Sequence, residues 1–174
     1  MHKSSYKKMR NFVRDYLTDK EDQPLRILEI GSQDINGTRK GLSYKALFDK
    51  PLWKYTGLDM EAGENVDVVV EDPYDWKQIS NESYDVVFSG SCFEHVEFPW
   101  LTIKEIARVL KVGGLTCNIA PAVGEEHRYP VDCWRIYPDG FIALAKWAKL
   151  EPLYTHANWK QKGLWVDSVL IAKK

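Results

Sequence analysis

Leu25-Arg26-Ile27-Leu28-Glu29-Ile30-Gly31-Ser32 (residues 25–32) is a short, mostly apolar run that stops on a glycine. Such a run reads as a strand buried on both faces. Similar runs recur downstream. Trp53 to Leu58 ends at Asp59, Val66 to Val70 ends at Glu71 and Asp72, Asp85 to Ser89 follows the turn Asn81-Glu82-Ser83, and Leu115 to Ala120 follows Gly113-Gly114. Between and around them lie helical patterns. Residues 4–17 carry Tyr6, Met9, Val13, Tyr16 and Leu17 at helical spacing, and residues 98–110 place Leu101, Ile103, Ile106, Val109 and Leu110 on one side. Residues 38–49 and 138–149 also read as helices. Gly113-Gly114 is expected to break the chain between the helix ending at 110 and the strand starting at 115.

Strands alternating with helices imply right-handed crossovers and a parallel sheet covered on both faces. The end of the chain departs from that alternation. Two strands, near 151–157 and 164–172, follow each other with no helix between them. They predict a C-terminal hairpin that places one antiparallel strand in an otherwise parallel seven-stranded sheet. The expectation is a single α/β domain over residues 1–174, with an N-terminal helical segment over 1–20 and a long irregular loop over 121–137.

Ligands of such sheets bind at the carboxyl ends of the strands, where the strand order reverses. The first loop reads Gly31-Ser32-Gln33-Asp34-Ile35-Asn36-Gly37. Gly31 lets the backbone approach a ligand closely, and is equally a plain tight turn. Gln33 and Ile35 stand where a G-x-G-x-x-G loop would carry further glycines, so the loop is ill suited to a pyrophosphate and better suited to a ligand without phosphates. Asp59, after the second strand, reads either as an acid that accepts both hydroxyls of a ribose or as a helix cap. Glu71-Asp72-Pro73 offers a carboxylate for an adenine amino group, and is equally a good turn and helix start.

Composition narrows the function classes. A net charge of -1 gives no global attraction for nucleic acid or an anionic membrane, so neither is an expected partner. The basic residues Lys7, Lys8 and Arg10 read as a solvated helix face. Three cysteines without CxxC spacing argue against a disulfide framework and a structural zinc site. The polar start MHKSSYKKMR and the lack of long apolar runs lead us to expect a cytoplasmic protein. The four histidines are far apart in the chain and no paired carboxylates sit at ligand spacing, so no metal is expected.

Four segments taken together, ILEIGS at 27–32, YTGLDM at 55–60, SYDVVFSGSCFEHV at 83–96 and ARVLKVGGL at 107–115, resemble class I S-adenosylmethionine-dependent methyltransferases, in particular the bacterial type 11 group. HRYPVDCWRIYPDG at 127–140 is similar to a block found in part of that group. The resemblance implies a Rossmann-like three-layer sandwich and S-adenosylmethionine as cofactor. It also implies roles for residues. Glu29, Gly31 and Ser32 match the cofactor loop, Asp59 the ribose acid, Met60 a residue packing on adenine, Asp72 or Glu71 the adenine contact, and Ser89, Gly90 and Ser91 the strand end facing the methionine. Gln33 and Ile35 depart from the family's small residues.

Methyl transfer is an in-line displacement in which the cofactor carries the chemistry, so the protein chiefly orients the acceptor. A hydroxyl acceptor benefits from a general base. His95, just past the fourth strand, is one candidate, and also reads as a structural residue starting a helix. The loop is the richer source. In it His127 or Asp132 reads as the base, Tyr129 and Trp134 as surfaces that stack on the acceptor, and Arg135 as an anchor for an anionic or polyhydroxyl group. The structural alternative is an Asp132–Arg135 ion pair pinning the loop, with Trp134 plugging the core. The expected activity is methylation of a hydroxyl on a small metabolite or glycan precursor. The rivals are a non-catalytic cofactor-binding or regulatory domain on this fold and, with its glycine fingerprint missing, a nicotinamide-dependent oxidoreductase. Oligomeric state is not legible.

Overall fold

The computed structural model describes residues 3–34, 43–160 and 163–174. Its strands are β1 (Leu25–Ile30), β2 (Trp53–Asp59), β3 (Val68–Val69), β4 (Tyr84–Gly90), β5 (Leu110–Val123), β6 (Glu151–Ala157) and β7 (Val166–Lys173). The helices are α1 (Lys3–Tyr16), α2 (Pro99–Val109) and α3 (Pro138–Trp147). Prolines open both α2 and α3, where the absent N–H costs nothing and the fixed φ suits a first turn.

One seven-stranded sheet runs in the order β3-β2-β1-β4-β5-β7-β6. β1, β2, β3, β4 and β5 pair in parallel, whereas β7 is antiparallel to both β5 and β6. The terminal hairpin therefore contributes one antiparallel strand, as its sequence pattern requires. Alternation along β1 divides the core. Leu28 and Ile30 pack with Phe93, Ile103, Ile106 and Phe141 beneath α2 and α3, while Ile27 packs with Met9, Phe12, Phe48 and Phe88 beneath α1. Helices on both faces make this the expected three-layer sandwich.

Several boundaries differ from the sequence reading. Residues 38–42 of the helix expected over 38–49 lie outside the described residues, and 43–49 hold only a 3-10 turn at Lys45–Leu47. The third strand shrinks to two residues. Gly113-Gly114 does not break the chain between α2 and a strand at 115, because β5 already begins at Leu110. Tyr84 pairs with Leu110 and Val86 with Leu115, so residues between them bulge out. Gly113 adopts φ +83°, a conformation open to glycine, and the strand resumes beyond it. Among the described residues no helix is long and apolar enough to cross a membrane.

Candidate active site at the strand ends

The strand order reverses between β1 and β4, which pair up to Ile30 and Ser89 at their carboxyl ends. The loops after these strands therefore leave the sheet side by side. Gly31 has φ +70°, and a Cβ there would lie 2.7 Å from Cys92 Sγ. A Cβ on Gly90 would lie 2.4 Å from the Tyr44 ring. These glycines were expected to face the cofactor. The structure instead fills their space with Cys92 and Tyr44, because glycine lets neighbouring protein groups approach the backbone as readily as a ligand.

Asp59 ends β2 with both carboxylate oxygens engaged. Oδ1 accepts from the Met60 amide at 2.7 Å and Oδ2 from the Gln33 amide at 2.9 Å. It thus ties the first loop to β2, and each oxygen keeps a further lone pair. Beside it Met60 is 55% exposed. Glu71 and Asp72 are exposed, and Asp72 Oδ1 accepts from the Tyr74 amide at 2.8 Å, the turn geometry its sequence also allowed. The hydroxyls of Ser32, Ser89 and Ser91 are buried without a hydrogen-bond partner among the described residues. Buried polar atoms rarely stay unpaired, and three at these strand ends mark a place for a polar ligand group. Glu29 is buried one strand position below Ile30 and accepts from the Tyr55 hydroxyl, which in turn accepts from Asn65 Nδ2 at 2.8 Å. Burial pushes its carboxyl up to about 8.

A 3-10 turn at Phe93–His95 follows β4 and receives the long loop. The amides of Cys133 and Trp134 donate to the Glu94 carbonyl at 2.7 and 3.2 Å. Arg135 forms a bidentate pair with Asp132, at 2.6 and 2.7 Å, and also donates to the carbonyls of Gly124, Glu125 and Trp134. Asp132 Oδ2 accepts from the His127 amide at 2.7 Å, and Arg135 holds its carboxyl well below the usual carboxylate range. Asp132 and Arg135 thus brace the loop, and with their polar atoms so engaged neither is placed as the base or the anion anchor of the sequence reading. Trp134 also departs from its expected place. Its indole donates to the Val96 carbonyl at 2.9 Å, and its half-exposed ring meets Trp100 at 6.4 Å, neither in the core nor against His127.

His95, His127 and Tyr129 do come together. The His95 and His127 rings are 4.8 Å apart, and Tyr129 lies edge-on to both, at 5.7 and 6.1 Å. Two residues missed by the sequence reading complete the group. Trp165 meets His127 at 4.9 Å and packs where a Cβ of Gly124 would be. The Glu94 side chain is fully buried beneath the two imidazoles, with Oε1 at 3.8 Å from His95 Nε2 and 3.7 Å from His127 Nε2. This carboxylate raises the proton affinity of His127 above that of an ordinary imidazole, against the opposing effect of burial. The signal available in sequence was the Glu94-His95 pair at a strand end. The spacing of the histidines in sequence gives no reason to expect a metal, yet the fold brings one ligand atom each from Glu94, His95 and His127 to within 4.8 Å of one another.

Comparison with solved structures places the fold. A putative methyltransferase from Bacillus halodurans superposes with a TM-score of 0.73 at 13% identity, covering 98% of this chain and 99% of the other. A 1,6-didemethyltoxoflavin-N1-methyltransferase from Burkholderia thailandensis, solved with S-adenosylhomocysteine, gives 0.69 at 14% identity over 98% of this chain and 78% of its own. The cyclase SpnF gives 0.71 at 15% identity over 97% and 81%. At such identities the likeness is one of fold. Residues 36–117, a little under half of the chain, match the family model described as a methyltransferase domain. The fold of the chain is that of these methyltransferases. No curated protein matches this chain by sequence. The methyl donor of the class is S-adenosylmethionine, and the orphan serine hydroxyls, the lone pairs of Asp59 and the exposed Met60 fit that cofactor, although Gly31 and Gly90 are packed by protein.

Proposed function

We propose that this methyltransferase acts on a hydroxyl of a small hydroxylated molecule, a metabolite or a glycan precursor. The observation that carries the reading is the Glu94–His95–His127 group under the braced loop, flanked by Tyr129 and Trp165. It combines proton-accepting groups with aromatic edges suited to a ring. Its position follows from Cys92, which packs on Gly31 only two residues before Glu94. S-adenosylmethionine supplies a methyl group on a positively charged sulfur, so no protein nucleophile is needed.

In this reading Asp59 accepts the ribose hydroxyls while the Gln33 and Met60 amides keep its carboxylate in place. Met60 packs on the adenine, Glu71 or Asp72 receives its amino group, and Ser32, Ser89 and Ser91 face the methionine end. His127, made more basic by Glu94, takes the acceptor's hydroxyl proton. Asp132 and Arg135 keep the His127 backbone in place.

Calorimetric titration with S-adenosylmethionine and S-adenosylhomocysteine tests the cofactor half, with NAD as competitor. Binding should ignore NAD and weaken by about tenfold or more in Asp59→Ala, the loss expected for charge-assisted hydrogen bonds. Failure of the folded wild-type protein to bind either ligand would overturn the reading.

A further inference from the structure

We infer that Glu94, His95 and His127 form a binding site for a divalent first-row transition-metal ion. The argument starts from proton positions. His95 Nδ1 lies 2.6 Å from the Val131 carbonyl, and His127 Nδ1 lies 3.4 Å from the Glu125 carbonyl. A carbonyl oxygen only accepts, so each Nδ1 carries the proton. In the neutral ring Nε2 is then a lone pair, and in both residues Nε2 is the atom nearest Glu94.

Three electron-rich groups therefore converge where the Glu94 side chain is 0% exposed and neither of its oxygens has a hydrogen-bond partner among the described residues. A buried carboxylate facing two imidazoles is unfavourable unless positive charge lies among them, as a proton on His127 or as a metal ion. The spacing suits an ion better than direct hydrogen bonds. Bonds of about 2.1 Å in tetrahedral arrangement separate ligand atoms by about 3.4 Å, and the separations from Glu94 Oε1 are 3.7 and 3.8 Å. Carbonyls behind both imidazoles are the outer partners that orient metal-bound histidines.

Two imidazoles and one carboxylate select a transition metal over magnesium or calcium, which prefer oxygen ligands. Three protein ligands leave coordination positions open. With Tyr129 and Trp165 beside the site, those positions are available to the acceptor oxygen. That last role rests on the proposed function and, with the ion on Nε2, replaces proton uptake by His127, since a metal-bound imidazole protonated at Nδ1 has no lone pair left; the metal site itself does not rest on it.

The test is calorimetric titration of chelator-treated protein with Zn²⁺ and, separately, Mn²⁺, without cofactor or acceptor. Wild type should bind one ion. Removing an outer partner of a metal site typically costs roughly 10–100-fold in affinity, so Glu94→Gln and His127→Ala should each cost at least about a hundredfold. His156→Ala, on the exposed face of β6, should bind as wild type does. Circular dichroism must show the variants folded, and His95→Ala, which removes another ligand and should cost as much, serves where Glu94→Gln does not fold. Absence of saturable binding to wild type, or equal binding by the folded ligand variants, would overturn the inference. S-adenosylhomocysteine titration in the same preparations separates the two readings. Cofactor binding without metal binding refutes only the metal site, and metal binding without cofactor binding refutes only the proposed function.

Discussion

Replacing Glu29 by Gln should change how stability depends on pH. Glu29 is buried in β1 against Tyr55, and desolvation pushes its carboxyl up to about 8. In the unfolded chain a glutamate titrates near 4.3. Between these values the folded protein retains a proton that the unfolded chain has released, so stability falls as pH rises. The stability from the protonated side chain is fully present below about 4.3 and is lost progressively up to about 8. Each pH unit is worth about 1.4 kcal/mol, so at pH 7 the accumulated loss is on the order of 3–4 kcal/mol. Gln can accept from the Tyr55 hydroxyl and has no charge to bury, so Glu29→Gln should escape the loss. Urea unfolding of both proteins at several pH values between about 5 and 8 reads the difference directly, because every other titrating group is shared. The variant's advantage should grow by about 1.4 kcal/mol per unit. Parallel profiles would show that Glu29 titrates as an ordinary glutamate and that burial does not control it.

Gly31→Ala forces a side chain into φ +70° and against Cys92, so it should destabilise by at least about 1–2 kcal/mol in the same urea assay; a smaller loss would mean the loop rearranges freely. Arg135→Met removes the braces to Asp132 and to three loop carbonyls. Amide exchange at His127, whose N–H donates to Asp132, should accelerate by about tenfold or more, while affinity for S-adenosylhomocysteine stays within about twofold of wild type. Unchanged exchange at His127 would show that the loop is held without the Arg135 pair.

The parts of this protein that local sequence determined are those in which neighbours along the chain also decide the structure. Apolar runs set β1, β2 and β4, the helical periodicity of Ile103, Ile106 and Val109 set α2, and two successive strands without a helix set the antiparallel β7. That Asp59 ends a strand was legible because the end of a strand is itself a local feature. Tertiary structure decided the rest. His95 and His127 are 32 positions apart and meet only because Arg135 and Asp132 fold the loop back onto the turn that holds Glu94. The same two residues looked like chemistry in sequence and serve as bracing, since an arginine and an aspartate read alike whether they face a substrate or each other. Glycines 31 and 90 carry the same ambiguity, because a missing Cβ says that something comes close and not whether it is Cys92, Tyr44 or a ligand. Periodicity records which face of an element is buried, whereas a site depends on the paths of loops, and those are set by contacts between residues distant in the chain.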